Sequence, residues 1–503
     1  MIIAISFLLL SFSTIFLFNL LLKPKHPNKT SRLPPGPKGL PLIGNLHEFD
    51  PVHPHVYLRE LAKKYGPLMT MKFGSTTAIV ISSARVAKLA FKDNDLAIAN
   101  RPTLVGLEKH SYDGNDITFS KYNETWRELR KLSVIHLFSV KQVASFYPIR
   151  REQVSRMIKD IINKSAKSEV INLSHVIFLL VNRIICRAGF GKNYEELEER
   201  RFDKVFKECQ ELAGAFYFGD HFPLLGWIDK LNGMKSRIDK NFRILDDFYQ
   251  RLIDEHLDPN RPESMRGDIL DLLIKLKHDQ AAAVPLKWEN IKGIIMNVFV
   301  AGTDTSSSTL VWAMALLIKH PQAMKKAQEE VRNIVGNKGT VDEDDIQSLP
   351  YLKAIIKETL RLFPPVPLSL PKETIDKCTI DGYEIPAKTT VYMNTHAIGL
   401  DPEYWENPTE FMPDRFLNST IDYKGHDYGL LPFGTGRRGC PGMNLGIATV
   451  ELALSSLLYS FDWELPHGMK EEDLDMEASP GLATCKENDL CLVAKCYQHV
   501  QLE

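Results

Sequence analysis

The segment Pro432-Phe433-Gly434-Thr435-Gly436-Arg437-Arg438-Gly439-Cys440-Pro441-Gly442 constrains this chain more than any other stretch. It sets one cysteine in a glycine-rich loop, with two arginines just before it. Cys186, Cys209, Cys378, Cys485, Cys491 and Cys496 form no Cys-x-x-Cys pair, so neither a zinc site nor a redox dithiol accounts for Cys440. A lone thiolate suits an axial position on a haem iron, where it pushes electron density onto the metal and favours O–O cleavage. The glycines would let the backbone pass close beneath a flat macrocycle, and Pro441 removes an amide while fixing φ. Leu445 to Leu458 reads as an apolar helix whose N-terminal end would face Cys440 and whose dipole would stabilise a negative sulfur. The plainer alternative is a glycine-rich turn around a structural cysteine.

Met1 to Leu22 is an apolar run interrupted by Ser6, Ser11, Ser13, Thr14 and Asn19, long enough for one membrane-spanning helix. Lys23, Lys25, Lys29 and Arg32 follow it. Positive charge after the span, with none before, directs the bulk of the chain to the cytoplasmic side. A cleaved signal peptide is disfavoured, since a basic n-region and a small-x-small cleavage site are missing. Residues 23–37 form a basic linker ending in the stiff Leu33-Pro34-Pro35-Gly36-Pro37, and residues 38–503 read as one mainly α body with small β-sheets. Alternation predicts a hairpin from Met69–Phe73 and Ala78–Ile81, and a second β region over Cys378–Pro386 and Thr389–Asn394. Helical spacing covers Val56–Tyr65, Lys141–Asn163, Arg200–Ala213, Met234–His256, Ile269–Lys277, Trp288–Lys319 and Pro321–Val335. A net charge of −1 gives no basic excess for nucleic acid, and seven cysteines among 503 residues fit a reducing compartment.

Phe433-x-x-Gly436-x-Arg438-x-Cys440-x-Gly442 resembles the haem-binding signature of the cytochromes P450, and other segments extend the likeness to plant microsomal A-type members from the anchor to about Leu492. Ala301-Gly302-Thr303-Asp304-Thr305-Ser306 is similar to the family's oxygen-activation motif. Ala301 and Thr305 share a helix face at i,i+4, which aims a hydroxyl at space left open by small residues. There Thr305 would hydrogen-bond oxygen and water, Asp304 would connect them to bulk protons, and Gly302 would kink or widen the helix. The bland alternative has Thr305 bonded back to the carbonyl of Ala301 and Asp304 merely facing solvent. Lys357-Glu358-Thr359-Leu360-Arg361 places a Glu-x-x-Arg pair on one helix face, and the family joins such a pair to an arginine like Arg415 in a buried network. The resemblance assigns Trp126, Arg130 and Arg438 to haem propionates, for which guanidinium forks are suited. Lys372, Phe363 and Leu400 depart from the plant pattern.

The resemblance thus implies the cytochrome P450 fold behind a single-pass N-terminal membrane anchor. Its cofactor would be heme b, iron protoporphyrin IX, with Cys440 as metal ligand, Trp126, Arg130, Arg438, Phe433, Gly436 and Ala301 as contacts, and Asp304 and Thr305 as catalytic residues. Phe216, Phe218, Leu368, Leu370 and Leu482 would line an apolar substrate pocket, although the aromatic cluster could equally be core or dip into a membrane. The implied activity is a monooxygenase that uses O2 and NADPH-derived electrons, delivered by a membrane-bound NADPH–cytochrome P450 reductase docking near Arg127, Lys131 and Arg437. Its substrate would be a small, largely apolar plant specialised metabolite such as an alkaloid, terpenoid, phenolic or oxime, to be hydroxylated, desaturated, cyclised or coupled on the cytosolic face of the endoplasmic reticulum. Two rivals share the cysteine loop. A haem-thiolate isomerase or dehydratase would have little need of Asp304-Thr305, and a non-catalytic haem-binding module would need neither that pair nor an apolar pocket.

Overall fold

The computed structural model describes residues 33–193, 199–279 and 283–497; the apolar run Met1–Leu22 and most of the basic linker lie outside the described residues. Helices of nine residues or more are α1 (Pro54–Tyr65), α2 (Ala84–Asn94), α3 (Glu124–Leu132), α4 (Tyr147–Ser165), α5 (Leu173–Phe190), α6 (Glu199–Gly214), α7 (Met234–Leu257), α8 (Ile269–His278), α9 (Trp288–Lys319), α10 (Pro321–Val335), α11 (Pro350–Leu362) and α12 (Met443–Ser460). The strands are β1 (Leu68–Phe73), β2 (Thr76–Ile81), β3 (Ile171–Asn172), β4 (Lys372–Glu373), β5 (Cys378–Ile380), β6 (Tyr383–Ile385), β7 (Thr390–Met393), β8 (Phe461–Glu464) and β9 (Cys491–Cys496). The body is mainly helical with small sheets, as the periodicity implies.

Local signals set the helix ends. Asn172 caps α5 by accepting from the amide of His175 at 2.9 Å, and Gly191 closes it at φ 64°, its N–H bonded to the carbonyl of Arg187. Lys141–Asn163 is not one helix: Pro148 stands in the first turn of α4, where it cannot donate, and the preceding helical turn ends at Ser145. Helix α5 has the length and apolarity of a membrane span, but 72% of it is buried inside the protein, so it is a core helix. It packs against α9, which also meets α12, in one core of side chains such as Leu180, Ile184, Trp312 and Leu457, each with no exposed surface.

The first hairpin forms as the alternation implies, pairing Leu68 with Ile81 and Phe73 with Thr76. The second β region divides instead. β5 and β6 make their own hairpin, while β7 runs parallel to β2, giving a sheet of order β1-β2-β7-β4. A further antiparallel sheet, β3-β9-β8, fastens the C-terminal strand to the start of α5. The proline segment is strapped to the first sheet, Pro35 accepting from the amide of Thr70 at 2.8 Å.

Candidate active site

The Cys440 loop enters α12 with its main chain folded on itself. The amide of Cys440 donates to the carbonyl of Phe433 at 2.8 Å, and Gly439 donates to Gly436 at 3.1 Å. This turns the sulfur into a cavity of about 250 Å3 between α9 and the start of α12. Burial pushes the thiol pKa up; the amides of Gly442 and Met443 and the guanidinium of Arg130 act against it. Phe433 lines the same cavity, its ring 5.6 Å from that of Tyr423. Gly436 does not line it. With φ at 68°, Gly436 brings the chain onto Asp95, which occupies the place a β-carbon would take and accepts from the amide and Nε of Arg437.

One rim of the cavity is strongly cationic. Arg130 donates to the carbonyl of Gly439 at 2.5 Å. Arg438 donates through Nε to Ala99 at 2.8 Å and through Nη2 to Ser120 at 2.6 Å, while its buried Nη1 has no hydrogen-bond partner. The Arg438 guanidinium lies 3.9 Å from the ring centroid of Trp126, whose indole N–H is already committed to the carbonyl of Ile117 at 2.9 Å. Trp126 therefore supports Arg438 in this arrangement, without a free donor of its own. Arg101, which no local motif marks, joins this rim and donates to the carbonyls of Thr118, Leu370 and Pro371. Burial, then Arg101 and Arg130, lowers the pKa of Arg438 to about 9 against the pull of Asp116. Lys372 is buried close by, lowered to about 7 by burial and then by Arg101 and Arg438.

The opposite wall is α9. Ala301, Gly302, Thr305, Ser306 and Thr309 line the cavity from this helix. Thr305 donates to the carbonyl of Ala301 at 2.7 Å, as the bland alternative has it. Its lone pairs remain available to a water or ligand. Asp304, adjacent in sequence, points elsewhere: it faces a second, polar cavity lined by His175, Ser307, Cys485 and Lys486, and accepts from Gln210 of α6. Successive residues on a helix stand about 100° apart, which separates the two groups. Burial raises the Asp304 carboxyl to about 6, the Gln210 bond opposing. Helix α9 is α-helical without interruption, so Gly302 produces no kink. A β-carbon at Gly302 would sit 2.8 Å from Cδ1 of Ile185, so glycine is there to let α5 pack closely.

Glu358, Arg361 and Arg415 form one buried cluster behind the site. Arg361 donates to both oxygens of Glu358 at 2.6 and 2.8 Å, and Arg415 donates to Oε1 at 3.0 Å. Of the substrate-pocket candidates, Leu370 lines the cavity and the others do not. Leu368 packs against the core beside the first sheet, a cluster that includes Leu58, Met69 and Met71. Phe216 is half exposed with Phe218 5.4 Å away, and Leu482 is also half exposed. Aromatic content and helical spacing in this region do not tell which side of the short helices and turns faces inward. Ile117, Thr118, Val181, Ile184, Asn297 and Val298 supply much of the wall instead. Phe363 stacks on Trp312 at 4.0 Å and 10°, and Leu400 is buried in the main core, so both departures are packing choices.

The residues present fit a haem. The cavity offers one thiol at its floor, small residues on the facing helix, and a rim whose cations outnumber its carboxylates, with one buried guanidinium nitrogen left without an acceptor. Comparison with known proteins agrees. Residues 34–492 match the family model described as Cytochrome P450. The chain is 48% identical over 501 residues to Strychnine-11-hydroxylase of Strychnos nux-vomica, covering 98% of both chains. It is 45% identical over 474 residues to 6,7,8-trihydroxycoumarin synthase of Pastinaca sativa, covering 92% of this chain and 93% of that one. Among solved structures, a zebra fish cytochrome P450 with progesterone superposes with a TM-score of 0.76 at 24% identity, over 88% of this chain and 99% of that one, a likeness of fold. With its cysteine loop, facing helix and family match in agreement, the chain belongs to the cytochrome P450 monooxygenase family.

Proposed function

We propose that this protein inserts oxygen from O2 into a small, largely apolar plant metabolite, a polycyclic alkaloid or coumarin-like phenolic, using NADPH electrons passed through a reductase. The observation that carries this reading is the single cavity that joins Cys440 to Ala301 and Thr305 beneath apolar walls. Haem, when bound, supplies the iron chemistry that activates dioxygen. The chain's residues do the rest. Cys440 offers the thiolate, Arg130 and Arg438 offer fixed donors to carboxylates, and Ile117, Val181, Ile184 and Val298 exclude water around the substrate. Thr305 accepts a hydrogen bond from a water in the cavity while its own proton rests on Ala301. Asp304, at about 6, exchanges protons on the far face of α9, and Gln210 must release it for a proton to be passed around the helix. The names of the two relatives, one for an alkaloid and one for a coumarin, support the substrate class.

The reading places the body on the cytosolic face of the endoplasmic reticulum membrane, held by residues 1–22. Leu224, Trp227 and Leu231 are exposed on one segment, and Leu40, Leu42 and Ile43 on another. The two are joined through the hairpin tip, where Gly74 donates to Ile43 and Ser75 to His221, which supports a single lipid-facing side. Arg127, Lys131 and Arg437 are exposed on the cysteine side, where a reductase would approach.

Expression with a plant reductase tests the whole reading. The reduced protein with carbon monoxide is expected to show the thiolate-type band, and alkaloid and coumarin panels should yield NADPH-dependent products heavier by one oxygen. Cys440→Ser should remove the band and the products together; retention of both overturns the assignment.

A further inference from the structure

We propose that Asn297 is a positioning residue that ties the substrate-facing loop 115–120 to the arginine that holds the cofactor, so that one amide sets two walls of the cavity. The inference rests on the haem-thiolate reading above. Asn297 interrupts the apolar run Ile294-Ile295-Met296-Asn297-Val298-Phe299-Val300. With Asn290 and Gly293 it forms a stripe at i, i+3 and i+7, one face of α9, and the loop lies on that stripe. Asn290 donates to the carbonyl of Asn115 at 3.1 Å, and a β-carbon on Gly293 would sit 3.1 Å from the same oxygen.

Asn297 bonds the loop twice. Its Nδ2 donates to Oδ2 of Asp116 at 3.0 Å, and its Oδ1 accepts from the amide of Ile117 at 3.2 Å. Asp116 has no exposed surface, and its other oxygen gathers the amides of Phe119 and Ser120 at 2.9 Å each. From this knot the loop acts in two directions. Ile117 and Thr118 face the cavity as substrate wall. The carbonyl of Ile117 holds the indole of Trp126, the carbonyl of Ser120 holds Nη2 of Arg438, and the carbonyl of Thr118 holds Nε of Arg101. A loop that slips from Asn297 therefore moves substrate wall and cofactor clamp together.

The pair can be inverted. N297D sets a carboxylate against Asp116, and D116N sets an amide against Asn297. The double variant N297D/D116N restores one donor facing one acceptor in the opposite sense, and Asp at 297 still accepts from Ile117. Holoenzymes of the parent, both singles and the double are compared by optical titration with imidazole and 4-phenylimidazole, and by the rate of haem transfer to apomyoglobin. Each single is expected to weaken 4-phenylimidazole, which needs the wall, about tenfold more than imidazole, and to speed haem transfer about tenfold; the double should recover both to within about threefold. A general loss of structure would weaken the two imidazoles equally. If a single yields no holoenzyme, its return in the double supports the pairing. A double no better than its singles overturns it, as do singles indistinguishable from the parent. A parent without the thiolate band would instead sink the functional reading.

Discussion

At Glu358 two arginines share one buried carboxylate, and Arg361 commits all five of its N–H groups, two to the oxygens of Glu358 and one each to the carbonyls of Gly399, Pro408 and Glu410. At Arg438 the balance is reversed. Arg101 and Arg438 face one buried carboxylate, Asp116, whose oxygens are already taken by loop amides and Asn297; buried Lys372 beside them has only the pull of Asp95, and Nη1 of Arg438 bonds to nothing. Both clusters are built from buried guanidinium groups, so residue type and burial do not separate them. Satisfaction does. A buried charge that the chain itself neutralises belongs to the scaffold, and a surplus of buried cations marks where an anionic group is to be received.

The largest effect should come from breaking the satisfied cluster. Glu358→Ala leaves two buried guanidinium groups without their carboxylate and frees the amide of Met412, which donates to Oε1 at 2.8 Å. Removal of one partner from a buried pair costs roughly 3–5 kcal/mol, a large share of the roughly 5–15 kcal/mol that holds a domain folded. Expressed Glu358→Ala is expected to give no carbon-monoxide-binding holoprotein, and Glu358→Gln very little. Normal yield from either would make the cluster dispensable and dissolve the comparison.

The surplus cluster should fail differently. Arg438→Leu deletes an incompletely satisfied buried charge, so the thermal midpoint of the haem-free chain should change little, while haem transfer to apomyoglobin accelerates about 10–100-fold, the range typical of groups that support a metal centre from outside its ligands. If Arg438→Leu unfolds the chain as Glu358→Ala is expected to, the two clusters play one role and satisfaction teaches nothing.

How far the sequence shows this division follows from the range of each signal. The Cys440 loop and the Glu358/Arg361 spacing are local, so contiguous residues carry them. The long helices are legible for the same reason, and so is the β1-β2 hairpin. What escapes is pairing across distance and choice of face. β7 meets β2 more than 300 residues away, through Thr390 opposite Ala78. Periodicity places Asp304 and Thr305 on one helix without saying that α6 takes the first and the cavity the second. Phe216 and Leu482 have the composition of a pocket wall, yet the chain turns them outward. Asn297 did leave a trace, a lone amide in an apolar run, and Phe363 makes sense only beside Trp312. The family resemblance points to Arg130 and Arg438, but Arg101 and the surplus of cations over carboxylates escape it, because Arg101, Lys372 and Arg438 are gathered from three separate segments.

Lys372 offers the finest cut. Its amine lies 5.1 Å from the ring centroid of Phe91, and burial, reinforced by Arg101 and Arg438 against Asp95, lowers it to about 7. In the haem-free chain the folded state thus holds fewer protons than the unfolded one from about pH 7 up to the ordinary lysine range. The penalty for burying this charge is complete below pH 7 and fades as pH rises. A carboxylate received beside Lys372 raises its pKa again, so binding takes up a proton and weakens as pH climbs above about 7, by at most about tenfold per pH unit for one group. Near pH 7 the side chain is about half charged in the haem-free chain, and as a point charge it lacks the fork of an arginine, so Lys372→Met should speed haem transfer there by less than Arg438→Leu does. The distinguishing measurement is the slope. From pH 6.5 to 9 the parent should release haem faster with rising pH, Lys372→Met should do so less steeply, and Lys372→Arg should stay slow to higher pH than the parent, since a guanidinium holds its proton more tightly than an amine. Equal slopes in the parent and Lys372→Met would remove Lys372 from the receiving cluster and leave the arginines to hold the anion alone.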